Sequence, residues 1–398
     1  MLVGLVGKTN VGKTTFFSAA TLVEAERGNR PFVTIEPNEG VAYVRVESVC
    51  REFGVSCEPR TGWCNGRNRF APVKVLDVAG LVSGAHRGRG LGNKFLDDLR
   101  RAPVNILVVD ASGGTDSEGN PVPPGTHDPT EDYTIVSEEM SHWIAGIIKR
   151  NVGKASRRIR SGEKATAVLA DVLSGLGVRK EDVERSAELE GLDVRRVGEW
   201  GEDDLLNFAR RLREISKPFV VAANKVDVPE AERFLEGLRS LGEPVIPTSA
   251  ESELILRRAA AAGLIRYEPG DPSFEIVDES RLTEAQRRAL KLVEERVLDR
   301  FGSTGVQEAL ETAVFDVAGF VAVFPVENEN RLSDRDGRVL PDVFLMKRGS
   351  TVRDLAYRIH SEIGERAVGG LDVRTKRKIP LDRELRHRDV VKILARRG

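Results

Sequence analysis

The feature that most constrains this chain is a short loop close to its amino terminus. Residues 7–14 read G-K-T-N-V-G-K-T and follow the apolar run M-L-V-G-L-V. In the pattern G-x-x-x-x-G-K-[ST], backbone N–H groups turn toward phosphates, the lysine offers its charge to the β and γ phosphates, and the hydroxyl is placed for Mg²⁺. The pattern requires a strand before the loop and a helix after it, and the flanking residues fit both elements. We therefore predict a nucleoside triphosphate site, and its residues are Asn10, Val11, Gly12, Lys13, Thr14 and Thr15.

A second motif indicates the base. An apolar run is followed by Asn224-Lys225-Val226-Asp227, the arrangement N-K-x-D. An aspartate in that place accepts hydrogen bonds from guanine N1–H and from the exocyclic amine, whereas adenine would leave the carboxylate buried and unpaired. We expect Asn224 to join this loop to the phosphate loop, and the Lys225 stem to cover one face of the ring. A later T-S-A sequence, with Ser249 and Ala250, resembles the loop whose backbone N–H contacts guanine O6.

Two segments between these motifs are expected to sense the γ phosphate. The run V-K-V-L-D-V-A-G is a predicted strand that leads into D-x-A-G, in which Asp77 would hold Mg²⁺ through water and the Gly80 N–H would touch the γ phosphate. Upstream, P-F-V-T-I-E-P-N contains Thr34, which either completes the metal shell or is an ordinary turn residue. The predicted metal ligands are therefore Thr14, Thr34 and Asp77.

Together these motifs resemble the Obg-like GTPases, specifically the YchF-type branch. The resemblance rests on P-F-x-T-I-E-P-N, on D-x-A-G-L-V-x-G-A-x-x-G-x-G-L-G-N and on N-K-x-D, and it extends over nearly the whole chain. Many YchF-type proteins replace the lysine and aspartate of N-K-x-D and prefer ATP. This chain keeps Asp227 and in that respect is similar to the archaeal and eukaryotic GTP-type subgroup. The resemblance implies an α/β P-loop NTPase fold of the TRAFAC type, with GTP or GDP and Mg²⁺ as ligands.

The residue that follows D-x-A-G bears on hydrolysis. Many small GTPases have a glutamine there to orient the attacking water, but Leu81 can neither accept nor donate a hydrogen bond. In related phosphate loops an asparagine three residues before the lysine helps to coordinate K⁺, which supplies positive charge in place of an arginine finger. Asn10 is thus a candidate K⁺ ligand, or else it only caps the loop. The remaining catalytic candidates are Lys13 and the backbone of Gly80.

Length and composition fit an intracellular protein of two to three domains. The chain has 398 residues, with 61 Lys and Arg against 62 Asp and Glu, so any basic surface must be local. No stretch approaches the ~18 apolar residues of a membrane span, and the first predicted strand begins at the amino terminus without a signal peptide. We expect a cytoplasmic location, and neither a membrane nor DNA as a partner.

The cysteines, Cys50, Cys57 and Cys64, follow one another at intervals of seven residues. Three cysteines are too few for a secreted disulfide framework, and they lack C-x-x-C spacing. A metal site would need an outside ligand such as a histidine. Reduced structural thiols are the interpretation that the sequence favours, with zinc as the alternative.

The domain organisation follows from the spacing of the guanine motifs. We predict a G domain over residues 1–112 and 216–265, a helical insertion over 113–215, and a helical extension over 266–318. In the insertion, residues 112–132 are rich in Gly, Pro and Asp and indicate a loop, and amphipathic helix follows. The basic residues of the insertion form either an RNA-facing surface or a solvated helix face, and they are Lys149, Arg150, Lys154, Arg157, Arg158 and Arg160.

Residues 319–398 have the pattern of a strand-rich α+β unit. This region resembles a TGS domain, a β-grasp module that recurs in RNA-linked proteins. It carries a basic run of Arg374, Lys376, Arg377, Lys378, Arg383, Arg386, Arg388 and Lys392. Such residues would neutralise phosphates and give salt-dependent, sequence-tolerant RNA binding, although they can also serve only solvation.

These observations predict a translation-associated GTPase. GTP would order Thr34 and Gly80, hydrolysis to GDP and phosphate would release them, and the insertion and TGS module would sense the change at a ribosome or structured RNA. One alternative is an ATPase of the YchF type, which Asp227 argues against. The other is a nucleotide-gated RNA-binding scaffold with little turnover, which Leu81 supports.

Overall fold

The computed structural model describes residues 1–22, 38–78 and 101–396. The chain divides into two compact units. One comprises Met1, Val41–Lys74 and Val314–Gly398, and the other comprises Leu2–Gly40 and Val75–Ala313. The four-part division drawn from the sequence remains a prediction.

One sheet has six strands in the order β2-β3-β1-β4-β5-β6, of which β1, β4, β5 and β6 belong to the larger unit. The strands are β1 (Leu2–Val6), β2 (Asn38–Glu47), β3 (Asn68–Asp77), β4 (Val104–Asp110), β5 (Phe219–Asn224) and β6 (Val245–Thr248). The strand β4 pairs in parallel with β1 and with β5, and β5 pairs in parallel with β6. Every residue of β4 and β5 is buried, because apolar and β-branched side chains cover both faces of a central parallel strand.

Parallel strands end on the same edge of the sheet, and this edge positions the predicted site. The phosphate loop leaves β1 and leads into the helix α1 (Lys13–Thr21). Asp110 and Asn224 lie opposite each other at the ends of β4 and β5, and Asn224 lies opposite Thr248. Binding residues of open α/β sheets are expected at this carboxyl edge.

Most of the chain between β4 and β5 is helical. Its helices are α2 (Pro129–Arg160), α3 (Ala165–Val172), α4 (Lys180–Glu190) and α5 (Glu202–Ser216). The sequence pattern placed a loop up to residue 132, but α2 begins at Pro129, because the Asp128 side chain accepts from the Thr130 N–H and Pro129 fits the first helical position. A core of the insertion's own, which includes Val168, Leu169 and Phe208, holds these helices together.

Further helices follow β5 and β6. They are α6 (Glu232–Arg239), α7 (Ala250–Ala261), α8 (Glu284–Val293), α9 (Asp299–Phe301) and α10 (Val306–Glu311). Between α7 and α8 lies a short antiparallel pair, β7 (Ile265–Arg266) and β8 (Glu275–Ile276). The helix α8 begins with a capping box between Thr283 and Gln286 and continues through a π turn into α9.

The smaller unit contains a second sheet, of five strands in the order β10-β9-β13-β11-β12. Its elements are β9 (Phe320–Pro325), β10 (Phe344–Lys347), α11 (Val352–Ile359), α12 (Ser361–Arg366), β11 (Ala367–Asp372), β12 (Arg377–Ile379) and β13 (Asp389–Ala395). The strands β9 and β13 are parallel, and the other pairs are antiparallel. Val352 and Leu355 of α11 pack in one core with residues of the sheet. This is the mixed α/β arrangement of a β-grasp, as predicted.

Within the described ranges, no helix combines the length and the apolar character needed to cross a bilayer.

Candidate functional site

The phosphate loop has a backbone that two of its glycines make possible. Gly7 and Gly12 have φ values of 151° and 93°. A Cβ atom at Gly12 would come within 2.3 Å of Asn224 Nδ2, and one at Gly7 within 2.5 Å of the Val108 carbonyl oxygen. A larger residue at either position would therefore clash as well as strain the backbone. The glycines of the motif are thus required by the neighbouring strand ends β4 and β5.

Three of the predicted phosphate and metal residues lie together. Lys13 Nζ donates to Asp77 Oδ1 at 2.7 Å, and Thr14 Oγ1 donates to Asp77 Oδ2 at 3.2 Å. Lys13 and Asp77 are both buried. Asp77 is the last residue of β3, so the carboxyl edge of the sheet brings its side chain to the start of α1. A buried ammonium and carboxylate in direct contact neutralise each other.

Asn224 connects the two loops that the sequence assigned to phosphate and base. Its Nδ2 donates to the Val11 carbonyl oxygen at 2.8 Å, and its Oδ1 accepts from the Ala250 N–H at 3.0 Å. The expected connection from Asn224 to the phosphate loop is therefore present. The Ala250 N–H, which sequence analysis assigned to the base, is used inside the protein in this structure. Asn224 is buried, so both amide groups need these partners.

Lys225 has a positive φ of 68° and reaches back to the phosphate loop. Its Nζ donates to the Asn10 carbonyl oxygen at 2.9 Å and to Asp110 Oδ2 at 2.7 Å. Asp110 also accepts hydrogen bonds from the hydroxyls of Ser112 and Thr115. Burial raises the pKa of Asp110, but the Lys225 charge and these hydrogen bonds outweigh burial, so the pKa of this carboxyl lies below its usual value. Lys225 is thereby fixed by the Asp110 carboxylate.

Asp227 is held by the residue that begins α7. Ser249 Oγ donates to Asp227 Oδ1 at 2.7 Å, and the same oxygen caps the helix by accepting from the Ser252 N–H. The Ser249 N–H donates to the Thr304 carbonyl oxygen at 2.9 Å. Among the residues that the structure describes, Asp227 Oδ2 has no hydrogen-bond partner. Ser249 thus orients the Asp227 carboxylate through one oxygen, and the other oxygen can still accept hydrogen bonds.

Sequence analysis missed a second support of the phosphate loop, formed by the segment after β4. Lys8 Nζ donates to Asp132 Oδ1 at 2.7 Å and to the Thr115 carbonyl oxygen at 2.8 Å, and His127 Nε2 lies 2.8 Å from Asp132 Oδ1. Burial raises the pKa of Asp132, although Lys8 and His127 oppose that effect. Lys8 occupies a variable position of the loop motif, so the pattern alone gave no signal for it. The sequence did give a signal for Asp110, because it is a polar residue at the end of an apolar strand.

The structure places the remaining predicted residues as follows. Asn10 has a φ of 63°, and its Nδ2 donates to the Gly119 carbonyl oxygen at 2.9 Å, so the loop after β4 fixes its side chain. Thr15 is half-buried in the first turn of α1. Thr34, Gly80 and Leu81 lie outside the described residues.

Family models match three parts of the chain. A 50S ribosome-binding GTPase model matches residues 2–152, an Obg-like GTPase YGR210-like, G4 motif-containing domain matches residues 222–328, and a TGS domain matches residues 335–395. The first match contains the phosphate loop. The second contains Asn224 and Asp227, and the third covers most of the second sheet.

Individual proteins are similar to this chain, two of them over nearly its full length. A GTP-binding protein of Methanocaldococcus jannaschii is 48% identical over 99% of both chains. The crystal structure of a GTP-binding protein from Pyrococcus horikoshii OT3 has 40% identity and a TM-score of 0.78, and the match covers 99% of this chain and 100% of that one. A ribosome-binding ATPase YchF of Mycoplasma genitalium is 30% identical over 59% of this chain and 67% of its own. With its G-domain motifs, its Obg-like N-K-x-D region and its carboxyl-terminal TGS domain, this chain belongs to the Obg-like/YchF family of GTPases.

Proposed function

We propose that this protein is a Mg²⁺-dependent GTPase that acts as a switch on the ribosome. The observation that carries the proposal is Asp227, whose carboxylate is oriented by Ser249 beside the loop that Asn224 joins to the phosphate loop. A carboxylate oriented in this way can accept from guanine N1–H and from the exocyclic amine, and adenine offers no such donor pair. Guanine recognition is therefore the function that the geometry supports best.

The metal ligands have the right chemistry for Mg²⁺. The Thr14 hydroxyl and the Asp77 carboxylate are hard oxygen donors only 3.2 Å apart, at the start of α1. Thr14 and Asp77 would hold Mg²⁺, which would supply positive charge beside the phosphates. Thr34 is proposed as a further ligand, and the Gly80 N–H as a contact of the γ phosphate.

Nucleotide binding would exchange the partners of the buried ion pair. Lys13 now pairs with Asp77, and in the bound state Lys13 would contact phosphate oxygens while Asp77 faces the metal. Each charge keeps a partner of opposite sign, so the site need not leave either group buried and unpaired. Lys13 then stabilises the charge that develops on the phosphates during hydrolysis.

We further propose that K⁺ stimulates hydrolysis through Asn10. Leu81 cannot orient water, and the side chain of Asn10, within the phosphate loop, is held by the Gly119 carbonyl oxygen. GTP hydrolysis measured in K⁺ and in Na⁺ tests this proposal. Equal rates in the two salts would show that Asn10 only supports the loop.

The proposed partner is the ribosome, and the protein would therefore act in the cytoplasm. A matching family model is described as a 50S ribosome-binding GTPase, and the Mycoplasma relative is named for ribosome binding. Much of the basic run in the second sheet is already paired within the unit, since Arg374 contacts Glu52, Arg388 contacts Glu47 and Lys392 contacts Glu329. Three members of the run are exposed, and their side chains form neither an ion pair nor a hydrogen bond with another described residue, namely Arg377, Lys378 and Arg386. We assign the RNA contact to these three.

The decisive experiment exchanges the base. Xanthine carries a carbonyl oxygen where guanine carries its exocyclic amine. In the Asp227→Asn variant, the side-chain amide should therefore donate a hydrogen bond to xanthine, and the binding of guanine should be lost. We expect the wild type to bind GTP and GDP far more tightly than ATP or XTP, and the variant to prefer XTP. Glu230→Gln, the same chemical change at an exposed residue of the same loop, is the matched control. Wild-type protein that binds ATP as tightly as GTP would favour an ATPase instead.

Ribosome binding is tested by co-sedimentation with ribosomal subunits in the presence of a non-hydrolysable GTP analogue or GDP. Arg377→Glu combined with Lys378→Glu should weaken sedimentation at least tenfold and reduce its salt dependence. Arg195→Glu, at an exposed arginine of the insertion, is the control. Nucleotide-independent sedimentation with negligible turnover would favour the scaffold alternative.

A further inference from the structure

The three cysteines converge on one point in the smaller unit. The Sγ atoms of Cys50, Cys57 and Cys64 all lie within 4.8 Å of one another, and those of Cys50 and Cys64 are 4.0 Å apart. Cys50 is buried, the other two are half-buried, and all three are free thiols. The chain has no other cysteine, so its entire thiol content lies in this cluster.

These spacings match a single tetrahedral ion. Zinc bonds to cysteine sulfur at about 2.3 Å, so sulfurs that share one zinc lie about 3.8 Å apart. A disulfide requires an S–S distance of about 2.05 Å and would leave the third thiol over. In a [4Fe–4S] cluster each cysteine binds a different iron, and in a [2Fe–2S] cluster three cysteines are divided between two irons, so at least one sulfur would lie farther from the others than around one shared ion. The separation of the sulfurs thus favours one zinc.

One hydroxyl oxygen faces the three sulfurs and could serve as a fourth ligand. Ser48 Oγ lies 3.0 Å from Cys50 Sγ, 3.5 Å from Cys57 Sγ and 3.3 Å from Cys64 Sγ. In a tetrahedron with a zinc–oxygen bond of about 2.0 Å, an oxygen lies about 3.5 Å from each sulfur. Sequence analysis required an outside ligand such as a histidine. The structure instead offers the Ser48 hydroxyl at the fourth corner.

A buried arginine compensates the charge that such a site would carry. Zinc with three thiolates has a net charge of −1. Arg69 pairs with Cys64 in an antiparallel bridge and is fully buried. Its Nη2 donates to the Pro341 carbonyl oxygen, but within the described part of the chain its Nε and Nη1 have no hydrogen-bond partner. A buried guanidinium with unused donors indicates an anionic neighbour, which a zinc–thiolate centre would supply.

The segment that holds the cysteines is long and irregular. Residues 48–67, between β2 and β3, contain neither a helix nor a strand of the sheet. The backbone of this segment pairs with the carboxyl-terminal part of the same unit, since the Glu58 N–H donates to Val339 and the Arg60 N–H to Pro341. A structural metal would stabilise such a segment, because metal binding adds directly to folding free energy.

We propose that Cys50, Cys57 and Cys64 bind one structural Zn²⁺ ion, with Ser48 at the fourth corner. Binding releases the thiol protons to solvent and forms three zinc–sulfur bonds without a redox change. The ion fixes the segment 48–67, against which residues 339–341 pair.

The first experiment measures metal content. The full-length, untagged chain is purified from zinc-containing medium without chelators and analysed by mass spectrometry for zinc, iron and copper. We expect one zinc per chain in the wild type, and less than a tenth of that in the variant with all three cysteines changed to serine. Glu52→Gln, which removes a nearby charge but no thiol, should retain full zinc. Guanine nucleotide binding by each variant shows that the larger unit is folded.

A second measurement does not depend on any variant. The wild-type chain is stripped of metal and titrated with Co²⁺, which should give the thiolate charge-transfer absorption and the visible bands of a tetrahedral site at one equivalent. Wild-type protein that lacks zinc and shows no thiolate absorption with Co²⁺ would overturn the proposal, as would a disulfide between two of the cysteines in protein purified under reducing conditions.

Ser48→Ala tests the fourth corner. We expect zinc affinity to fall at least tenfold while stoichiometric binding persists at excess zinc. Unchanged affinity would overturn the role of Ser48 and leave the three-thiolate site in place. Zinc removal should also increase the hydrogen exchange of residues 48–67 and 339–341 and leave α2 unchanged.

Discussion

The ammonium nitrogen of Lys13 lies 2.7 Å from Oδ1 of Asp77, and both side chains are buried. The residue proposed to bind phosphate and a residue proposed to bind metal are thus each other's partners in this structure. Removal of either one leaves an opposite charge buried and uncompensated.

We expect Lys13→Met to lower the free energy of unfolding by about 3 kcal/mol, because the Asp77 carboxylate loses its partner. The double variant with Asp77→Asn should recover most of this loss and still fail to bind GTP. Urea unfolding measured without nucleotide, with Lys180→Met as an exposed control, checks both expectations. A double variant whose loss equals the sum of the single losses would mean that the two groups are not coupled.

Asn224→Ala should weaken the binding of every nucleotide without changing the preference between bases. The variant loses the hydrogen bond to Val11 and the one from Ala250, which leaves buried groups unpaired at a cost of about 1–3 kcal/mol. Binding of GTP, GDP and ATP should therefore fall by roughly ten- to a hundredfold alike. Fluorescent nucleotide titrations compare this variant with Asn207→Ala on the exposed face of α5. A selective loss of GTP alone would contradict the bridging role.

The buried Lys217 should make the folded protein more stable as the pH rises into the alkaline range. Its Nζ donates to the Ala102 carbonyl oxygen at 2.9 Å, and burial lowers its pKa from 10.5 to about 8. Between about pH 8 and 10.5 the folded chain has released this proton while the unfolded chain retains it, so the contribution of Lys217 to stability rises with pH by up to about 3 kcal/mol. Below pH 8 its contribution is constant.

Urea unfolding of wild type and Lys217→Met from pH 7 to pH 10.5 tests this window. The stability difference between the two proteins should shift in favour of the wild type as the pH rises, whereas the exposed control Lys154→Met should run parallel to the wild type. A constant difference for Lys217→Met would show that this lysine titrates normally.

Phe208→Ala tests whether the insertion has a core of its own. Phe208 is fully buried and lies 5.0 Å, between ring centroids, from Trp200. Loss of the ring should destabilise the insertion by about 3–5 kcal/mol. We expect faster proteolysis within 129–216 and GTP affinity within threefold of wild type. Leu189→Ala, at an exposed apolar residue of α4, should have little effect on either. An equal increase in the proteolysis of the phosphate loop would mean that the insertion and the G domain unfold together.

Sequence reasoning reached the parts of the site that local patterns encode. The phosphate loop, the strand that ends at Asp77, and the connection from Asn224 to Val11 follow from motifs whose neighbours are fixed by the sheet. The start of α2 was misplaced by a few residues, because the Gly- and Pro-rich run hid the Asp128 cap. The position of a helix end depends on one or two side chains, and the average composition of a segment does not locate it.

Other parts of the molecule depend on contacts between distant residues. The bond from Lys8 to Asp132 spans more than a hundred residues, and a basic side chain at a variable motif position is indistinguishable in sequence from a solvated one. The spacing of seven between the cysteines likewise matches no ligand motif. Only the fold of residues 48–67 brings their sulfurs together with Ser48.

The parallel pairing of β4 and β5 limits how this protein can be shortened. Asn105 lies opposite Phe219, so the chain must travel from Asp110 at one edge of the sheet back to Phe219 at the other, a distance of roughly 17 Å along the strands. Such a return requires about a dozen residues or more, usually a helix laid across the sheet. The inserted helices are thus the crossover itself. A minimal G domain made by joining residue 110 to residue 219 with a tight turn would reverse the direction of β5 and remove Asn224 and Asp227 from the edge that carries the phosphate loop.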